Sequence, residues 1–80
     1  MLTIKIITPN LLEFVKEVKS VMRRPESESA SGRPCVTYFE TGIDTTANDV
    51  FEGQVYVMND NGNTIAAYDL GNPLGQEASI

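Results

Sequence analysis

The chain has 80 residues and a mass of 8.8 kDa, which allows one small domain and no deep cleft, because a chain of this size buries only about 60% of its unfolded surface. It has no histidine and no tryptophan, and Cys35 is its only cysteine. These counts exclude an internal disulfide, a Cys/His metal cluster and a catalytic triad with a histidine base, and a net charge of −5 disfavours bulk attraction to phosphate.

The first predicted elements are a strand and a helix. Leu2–Ile7 alternates in polarity, which predicts a β-strand. Thr8 and Pro9 fit a helix N-cap and first helical position, and apolar side chains then recur at helical spacing until Pro25. We therefore expect an amphipathic helix over residues 9–24. Its apolar positions are Leu11, Phe14, Val15, Val18, Val21 and Met22.

The rest of the chain is predicted as loops and strands. Residues 25–34 hold no large apolar side chain and are expected to form a surface loop. Residues 35–39 are typical of a second strand, whereas 41–49 are polar and are assigned to a loop. Two further strands, at 55–58 and 64–70, flank an Asn-Gly pair, which is the strongest short signal for a β-hairpin.

The element order β-α-β-β-β predicts an α+β fold. We expect a single domain over residues 1–72, with an antiparallel sheet that ends in a C-terminal hairpin and packs one face against the helix. Residues 73–80 are expected to be a flexible tail. No apolar stretch has the length of a membrane span, and the N-terminus lacks a signal-peptide pattern. The expected location is therefore cytoplasmic, with no membrane contact.

The predicted hairpin has two unequal faces. A two-residue Asn-Gly turn places Tyr56, Met58 and Ile65 on one face, whereas a three-residue turn would shift the register by one residue. That face is too apolar for solvent, so it marks an interaction surface unless the loop over residues 41–52 or the tail covers it. The opposite, uncharged face is the one suited to the helix. It holds Val55, Val57, Ala66, Tyr68 and Leu70.

Charge is divided unevenly along the chain. The first 33 residues hold all six bases and four acids, for a net +2, and the remaining 47 hold seven acids and no base, for a net −7. Carboxylates of the second part can stand in for phosphates in a basic groove of another protein. The plainer alternative is a surface charge that keeps the domain soluble. The candidate partner-binding residues are Glu40, Asp44, Asp49 and Glu52 in the acidic segment and Tyr56, Met58 and Ile65 on the hairpin.

Catalytic, cofactor and metal sites are not predicted. Cys35 has no histidine to activate it as a nucleophile. The glycines are isolated turn residues and form no phosphate-binding loop. The Asn-rich turn fails as a calcium loop, because Val57 and Tyr68 fall at ligand positions. No residue is therefore assigned a catalytic, cofactor-binding or metal-binding role, and the chain is predicted not to be an enzyme.

The leading hypothesis is a non-enzymatic protein–protein interaction module, accessory or inhibitory in kind, whose acidic segment occupies a basic surface on a partner. The first alternative is a homodimeric structural subunit joined through the hairpin face or an unpaired strand edge. The second is weak nucleic-acid binding by the basic end of the helix, at Arg23 and Arg24. The small size and the acidity are also typical of phage accessory proteins, although no single residue indicates that origin.

Overall fold

The computed structural model describes residues 1–29, 31–42 and 46–71. Strands make up 63% of these residues and helix 4%, the latter a single 3-10 turn at Glu26–Glu28. The sheet is antiparallel, has the order β4-β3-β2-β1-β5-β6 and curls into a half-barrel. The strands are β1 (Leu2–Ile7), β2 (Glu13–Arg24), β3 (Cys35–Glu40), β4 (Ala47–Val50), β5 (Gly53–Met58) and β6 (Thr64–Gly71).

The predicted α+β fold is wrong, because the segment expected to form the amphipathic helix is the twelve-residue strand β2. The register of β2 on β3 shifts between Val18 and Ser20, which marks a β-bulge. The extra residue lets Val18 and Val21 both join the core although they are three positions apart. A strand with such a bulge imitates the i, i+3 spacing of a helix.

The other apolar positions of the predicted helix do not form a buried face. Phe14 is 47% exposed and Val15 is 61% exposed, and Met22 also lies largely in solvent. Pairing with β1 along its first half and with β3 along its second half holds β2 extended. Pairing with two strands outweighs the helix propensity of the segment, which is worth only tenths of a kcal/mol per residue, roughly.

β2 connects two halves of the sheet. Its first half pairs with β1, up to Val18 opposite Leu2, and its second half pairs with β3, from Val18 opposite Glu40 to Arg24 opposite Cys35. A bulge bends its strand and increases the local twist. The two halves therefore turn toward each other across the bend.

The core fills the concave side of the half-barrel. Ile4, Ile6 and Val55 come from one half and meet Val36 and Tyr38 from the other, and none of the five is more than 8% exposed. The uncharged hairpin face was correctly predicted to point inward, since its valines are buried. It packs against the other half of the sheet, which takes the place of the predicted helix.

β1 and β3 confirm the strands predicted at residues 2–7 and 35–39, whereas β4 was missed. β4 pairs with β3 at the edge of the sheet, with Val50 opposite Val36 and Asn48 opposite Tyr38. Its Asn and Asp residues are depleted in strands, which is why the segment resembles a loop. The predicted tail, residues 73–80, lies outside the described residues.

The C-terminal hairpin is confirmed, but its turn is not the two-residue type. The N–H of Asn59 donates to the carbonyl of Asn63 at 2.9 Å, and the N–H of Gly62 donates to the carbonyl of Asn59 at 3.0 Å. Gly62 has a φ of +80°. These contacts define a three-residue loop in which a type I turn is followed by a left-handed residue.

A bulge near this turn restores the predicted register. The loop places Met58 opposite Thr64, where the two-residue turn would have placed Ile65. The register then shifts by one residue, and Val57 pairs with Ala66 as predicted. Ile65 is the extra residue of this bulge and is 56% exposed. The three-residue loop and the bulge at Ile65 shift the strand register in opposite directions. The inward-facing residues therefore keep the positions that a two-residue hairpin would give them.

The β1–β2 turn has the same geometry. The N–H of Thr8 donates to the carbonyl of Leu12 at 2.8 Å, and the N–H of Leu11 donates to the carbonyl of Thr8 at 2.8 Å. Leu11 takes the left-handed position, with a φ of +68°. Thr8 also accepts the N–H of Leu12 on its hydroxyl at 3.0 Å. Thr8 thus stabilises a hairpin turn and caps no helix.

Leu11→Gly and Leu11→Asn are expected to raise the free energy of unfolding by about 0.5–1 kcal/mol, because the left-handed conformation costs a bulky residue roughly that much or more. Leu11 is 79% exposed, so little burial is lost. Leu12→Gly is the control and is expected to destabilise, since Leu12 has no positive φ. Denaturant unfolding measures all three, and an equal loss for Leu11→Gly and Leu12→Gly would contradict this turn.

Gly53 is required where β5 begins. It is buried, has a φ of +89°, and a Cβ added there would collide with the carbonyl oxygen of Ile7. Gly53→Ala is expected to cost about 2–4 kcal/mol, from backbone strain and overpacking together. Gly62→Ala has the same backbone strain but open space around the new Cβ, so it should cost only about 1 kcal/mol. Equal losses in thermal unfolding would show that the close approach to Ile7 is absent.

Candidate functional site

Two open grooves flank the β1–β2 turn at one end of the half-barrel. The first has a volume of about 520 Å³ and the second about 250 Å³. Thr8 and Pro9 line both, so the grooves meet at the turn. The first groove also contains Arg33, Asp49, Phe51 and Glu52, and the second contains Leu11, Gln54 and Asp69.

The first groove forms where the chain crosses from β4 to β5. Phe51 and Glu52 are the two residues between these strands. The Arg33 guanidinium carbon lies 5.3 Å from the centre of the Phe51 ring, and its Nη2 donates to the Phe51 carbonyl at 3.5 Å. This cation–π contact holds Arg33 against one wall. The two carboxylates of the groove, Asp49 and Glu52, outnumber its single cation.

Asp49 is held in place by a hydrogen bond to a buried hydroxyl. Thr37 is 0% exposed, and its Oγ1 donates to Asp49 Oδ1 at 2.7 Å. Asp49 itself is exposed at the edge strand. Asp49 and Glu52, both predicted from the acidic segment, therefore line one groove together.

Glu40 lies apart from the groove and is paired with a lysine. The Lys16 ammonium donates to Glu40 Oε1 at 3.1 Å and stands 5.8 Å from the centre of the Tyr38 ring. The hydrogen bond that Lys16 donates to Glu40 is the main reason that the pKa of Lys16 is raised above its usual value, and Tyr38 adds to the effect. Glu40 is thus already neutralised within the chain. Asp44 lies outside the described residues.

This ion pair has a defined pH dependence. The pKa of Lys16 is raised in the folded state, so the pair contributes its full stabilisation at pH values below the ordinary lysine pKa of 10.5. This stabilisation is lost as the pH rises through the raised pKa. Both side chains are more than 40% exposed, so solvent screening keeps the contribution small.

The three hairpin candidates line neither groove. Tyr56 and Met58 are half-buried, and the Tyr56 hydroxyl donates to Gln54 Oε1 at 3.0 Å. Ile65 is the more exposed residue, at the bulge of β6. The structure therefore separates the predicted residues into a groove pair, Asp49 and Glu52, and a hairpin group.

Sequence reasoning missed the apolar part of the groove region. Leu11 was assigned to the buried face of a helix, although Pro9 and Asn10 also suit the two central positions of a type I turn that ends at Leu11. Leu12 and Phe14, its neighbours, are also exposed. Asp69 lines the second groove, across the turn from Asp49. We use the term turn face for the surface around both grooves. It comprises Pro9, Leu11, Asp49, Phe51, Glu52 and Asp69.

The two arginines predicted to bind nucleic acid do not form a patch of the expected kind. Arg23 and Arg24 are consecutive residues of a strand, so their side chains leave opposite faces of the sheet. Arg24 is half-buried, and its Nε has no hydrogen-bond partner among the described residues. The basic helix end on which they were expected to lie is part of the strand β2.

Thr37→Val is expected to lower the free energy of unfolding by about 1 kcal/mol, the usual net value of one hydrogen bond. Asp49→Ala should cost more, about 1–3 kcal/mol, because it leaves the buried Thr37 hydroxyl with only the weak Cys35 sulfur, 3.7 Å away, as an acceptor. In the Thr37→Val background, Asp49→Ala should cost close to nothing. Chemical denaturation of the two single variants and the double variant measures this coupling. Additive losses would mean that the hydrogen bond does not form.

Comparison of the chain with protein-family models, with curated proteins and with solved structures finds no match. Within the described residues, no group of three or more His, Cys, Asp or Glu side chains is placed to hold a metal ion. The same part of the chain contains no helix of the length and apolarity needed to cross a membrane. The functional inference therefore depends on the chemistry of the turn face.

Proposed function

We propose that the chain is a protein–protein interaction module that binds a basic surface of its partner through the turn face. The observation that carries this proposal is the meeting of the two grooves at Thr8 and Pro9. There an exposed leucine, Leu11, lines the second groove with Asp69, and Asp49 and Glu52 line the first. An apolar centre with a charged rim is the usual anatomy of a protein interface.

The apolar centre supplies affinity. Leu11 is 79% exposed, in a conformation that strains its own backbone. Full burial of a leucine side chain against a partner contributes about 1.5–3 kcal/mol. Leu12 and Phe14 extend the exposed apolar surface along the start of β2. A cluster of this kind in a small soluble domain typically marks a contact surface.

The carboxylates of the turn face make it selective for a basic partner. Asp49 and Glu52 line one groove and Asp69 the other, whereas Arg33 is the one cation among the residues that line them. Arg33 is stacked on Phe51, which leaves the carboxylates to face a partner. The net charge of −5 adds long-range attraction toward a basic surface. Such attraction raises the association rate and weakens as salt increases.

Affinity capture with the immobilised chain tests the proposal when paired with matched variants. Leu11→Gly removes the apolar centre while the fold is retained, and Glu52→Lys reverses one carboxylate of the first groove. Each is expected to weaken binding of the captured protein by about tenfold, the equivalent of one buried apolar side chain or one reversed contact charge. Binding to the wild type should also weaken at high salt.

Glu28→Lys is the control, because it makes the same charge change on the exposed 3-10 turn away from the grooves. It should bind the same protein with nearly wild-type affinity. The proposal fails if no protein is captured, or if Leu11→Gly and Glu52→Lys bind the captured protein as well as Glu28→Lys does. Circular dichroism and thermal unfolding of each variant confirm that folded proteins are compared.

A further inference from the structure

From the two edges of the sheet we infer that a second copy of the chain pairs with β6, giving a symmetric dimer with a continuous sheet. β6 pairs with β5 on one side, and no strand among the described residues pairs with its other side. Such an edge presents a row of backbone N–H and C=O groups that another strand can pair with. The inference is independent of the turn face.

The two edge strands differ in how well they are protected from pairing. β4 has four residues, and the side-chain amide of Asn48 donates to the carbonyls of Tyr38 and Thr46. Short length and a charged Asp49 are common protections of an edge.

β6 has eight residues, with Asp69 as its single charge and no lysine, arginine or proline. Bulges interrupt β6 at Ile65 and between Asp69 and Gly71, but the four residues between them, 66–69, are paired regularly with β5. With no lysine, arginine or proline to protect it, this regular run is the part of the described edge that is open to pairing.

Charge selects the register of the pair. A two-fold axis at Asp69 would place the two carboxylates directly opposite each other, which destabilises a strand pair. An axis at Ala67 separates them by four residues, about 14 Å along the strands. That separation exceeds the Debye length of about 8 Å at physiological salt, so the repulsion is largely screened.

The side chains also fit an axis at Ala67. Two small residues, Ala67 of each copy, then meet at the centre, and Ala66 faces Tyr68 of the other copy. Because the alanine side chain is small, the Tyr68 ring has room to pack across the new strand pair. The pairing is isologous, so it uses the same edge of both copies and stops at two.

A second copy fits this edge better than the chain's own C-terminal residues. The sequence after β6 begins Asn72-Pro73-Leu74-Gly75. Proline lacks the N–H that a strand pair needs, and glycine weakens a strand. Between its two bulges, β6 offers the consecutive uncharged residues 66–68 to an identical strand.

The small contact area limits the affinity of the dimer, and the charge of the two copies sets its salt dependence. One strand pair buries less than the roughly 1,200 Å² of a standard stable interface, so we expect a dissociation constant in the micromolar range or weaker. Each copy carries a charge of −5, so the copies repel. High salt should therefore strengthen the dimer. Binding of a basic partner at the turn face has the opposite salt dependence, so the two inferences fail separately.

Light scattering of the full chain from micromolar to near-millimolar concentration is the first test. The wild type should shift from monomer to dimer, more readily at high salt. Ala67→Lys places two ammonium groups at the axis and should raise the dissociation constant on the order of tenfold or more. Ala47→Lys, the same change at an exposed alanine of β4, should leave the dimer unchanged. Equal loss in both variants, or dimer loss in Ala47→Lys alone, would overturn the inference.

Cysteine cross-linking is the second test. The native Cys35 is buried, so an introduced cysteine is the reactive one. An axis at Ala67 brings the two Cβ atoms of residue 67 to about 4.5–5.5 Å, and a local approach of about 1 Å brings them into the roughly 3.5–4.5 Å range of a disulfide. Ala67→Cys should form a covalent dimer under mild oxidation, and Ala47→Cys should not. The dimer is refuted if the wild type stays monomeric and the Ala67→Cys variant stays unlinked. In that case either another segment covers the edge of β6 or the edge has no partner.

Discussion

β2 pairs with β1 through its first half and with β3 through its second, and the bulge between Val18 and Ser20 turns one half toward the other. A single sheet has no second layer on which to bury its apolar face. The bend solves this by folding the sheet onto itself. Val18 is 0% exposed at the bend, where the two halves of the core meet. Without the bulge, neither half would have a surface to pack against.

The same bend helps to position the turn face, the surface proposed to bind a partner. Curling brings the β1–β2 turn beside the connection from β4 to β5, and residues of both line the first groove. The close approach of Gly53 to the Ile7 carbonyl holds the start of β5 against this turn. The carboxylates and the exposed Leu11 come from segments far apart in sequence. The pairing of β5 with β1 and β6 brings Glu52 and Asp69 beside the turn, and the curvature of the sheet brings Asp49 of β4 to the same end.

Much of the strand pattern was predictable from the sequence, and its failures have physical causes. Alternation identified β1, and the Asn-Gly pair identified the hairpin, because both signals are local. The helix prediction failed because a β-bulge sets Val18 and Val21 at helical spacing, and β4 was missed because Asn and Asp are poor strand residues. Asp49 and Glu52 were selected from charge alone, and both line the first groove. Leu11 lies in a turn because β1 pairs with β2, and the spacing of apolar residues does not encode that pairing.

Backbone NMR of the full chain tests the bent-strand account most directly. Carbon secondary shifts over residues 13–24 should be those of a strand, with an irregularity next to Val18. Cross-strand proton contacts should connect the first half of this segment to β1 and the second half to β3, with Leu2 opposite Val18 and Tyr38 opposite Val21. Helical shifts over residues 9–24, with contacts between residues three apart and none to β3, would contradict the account.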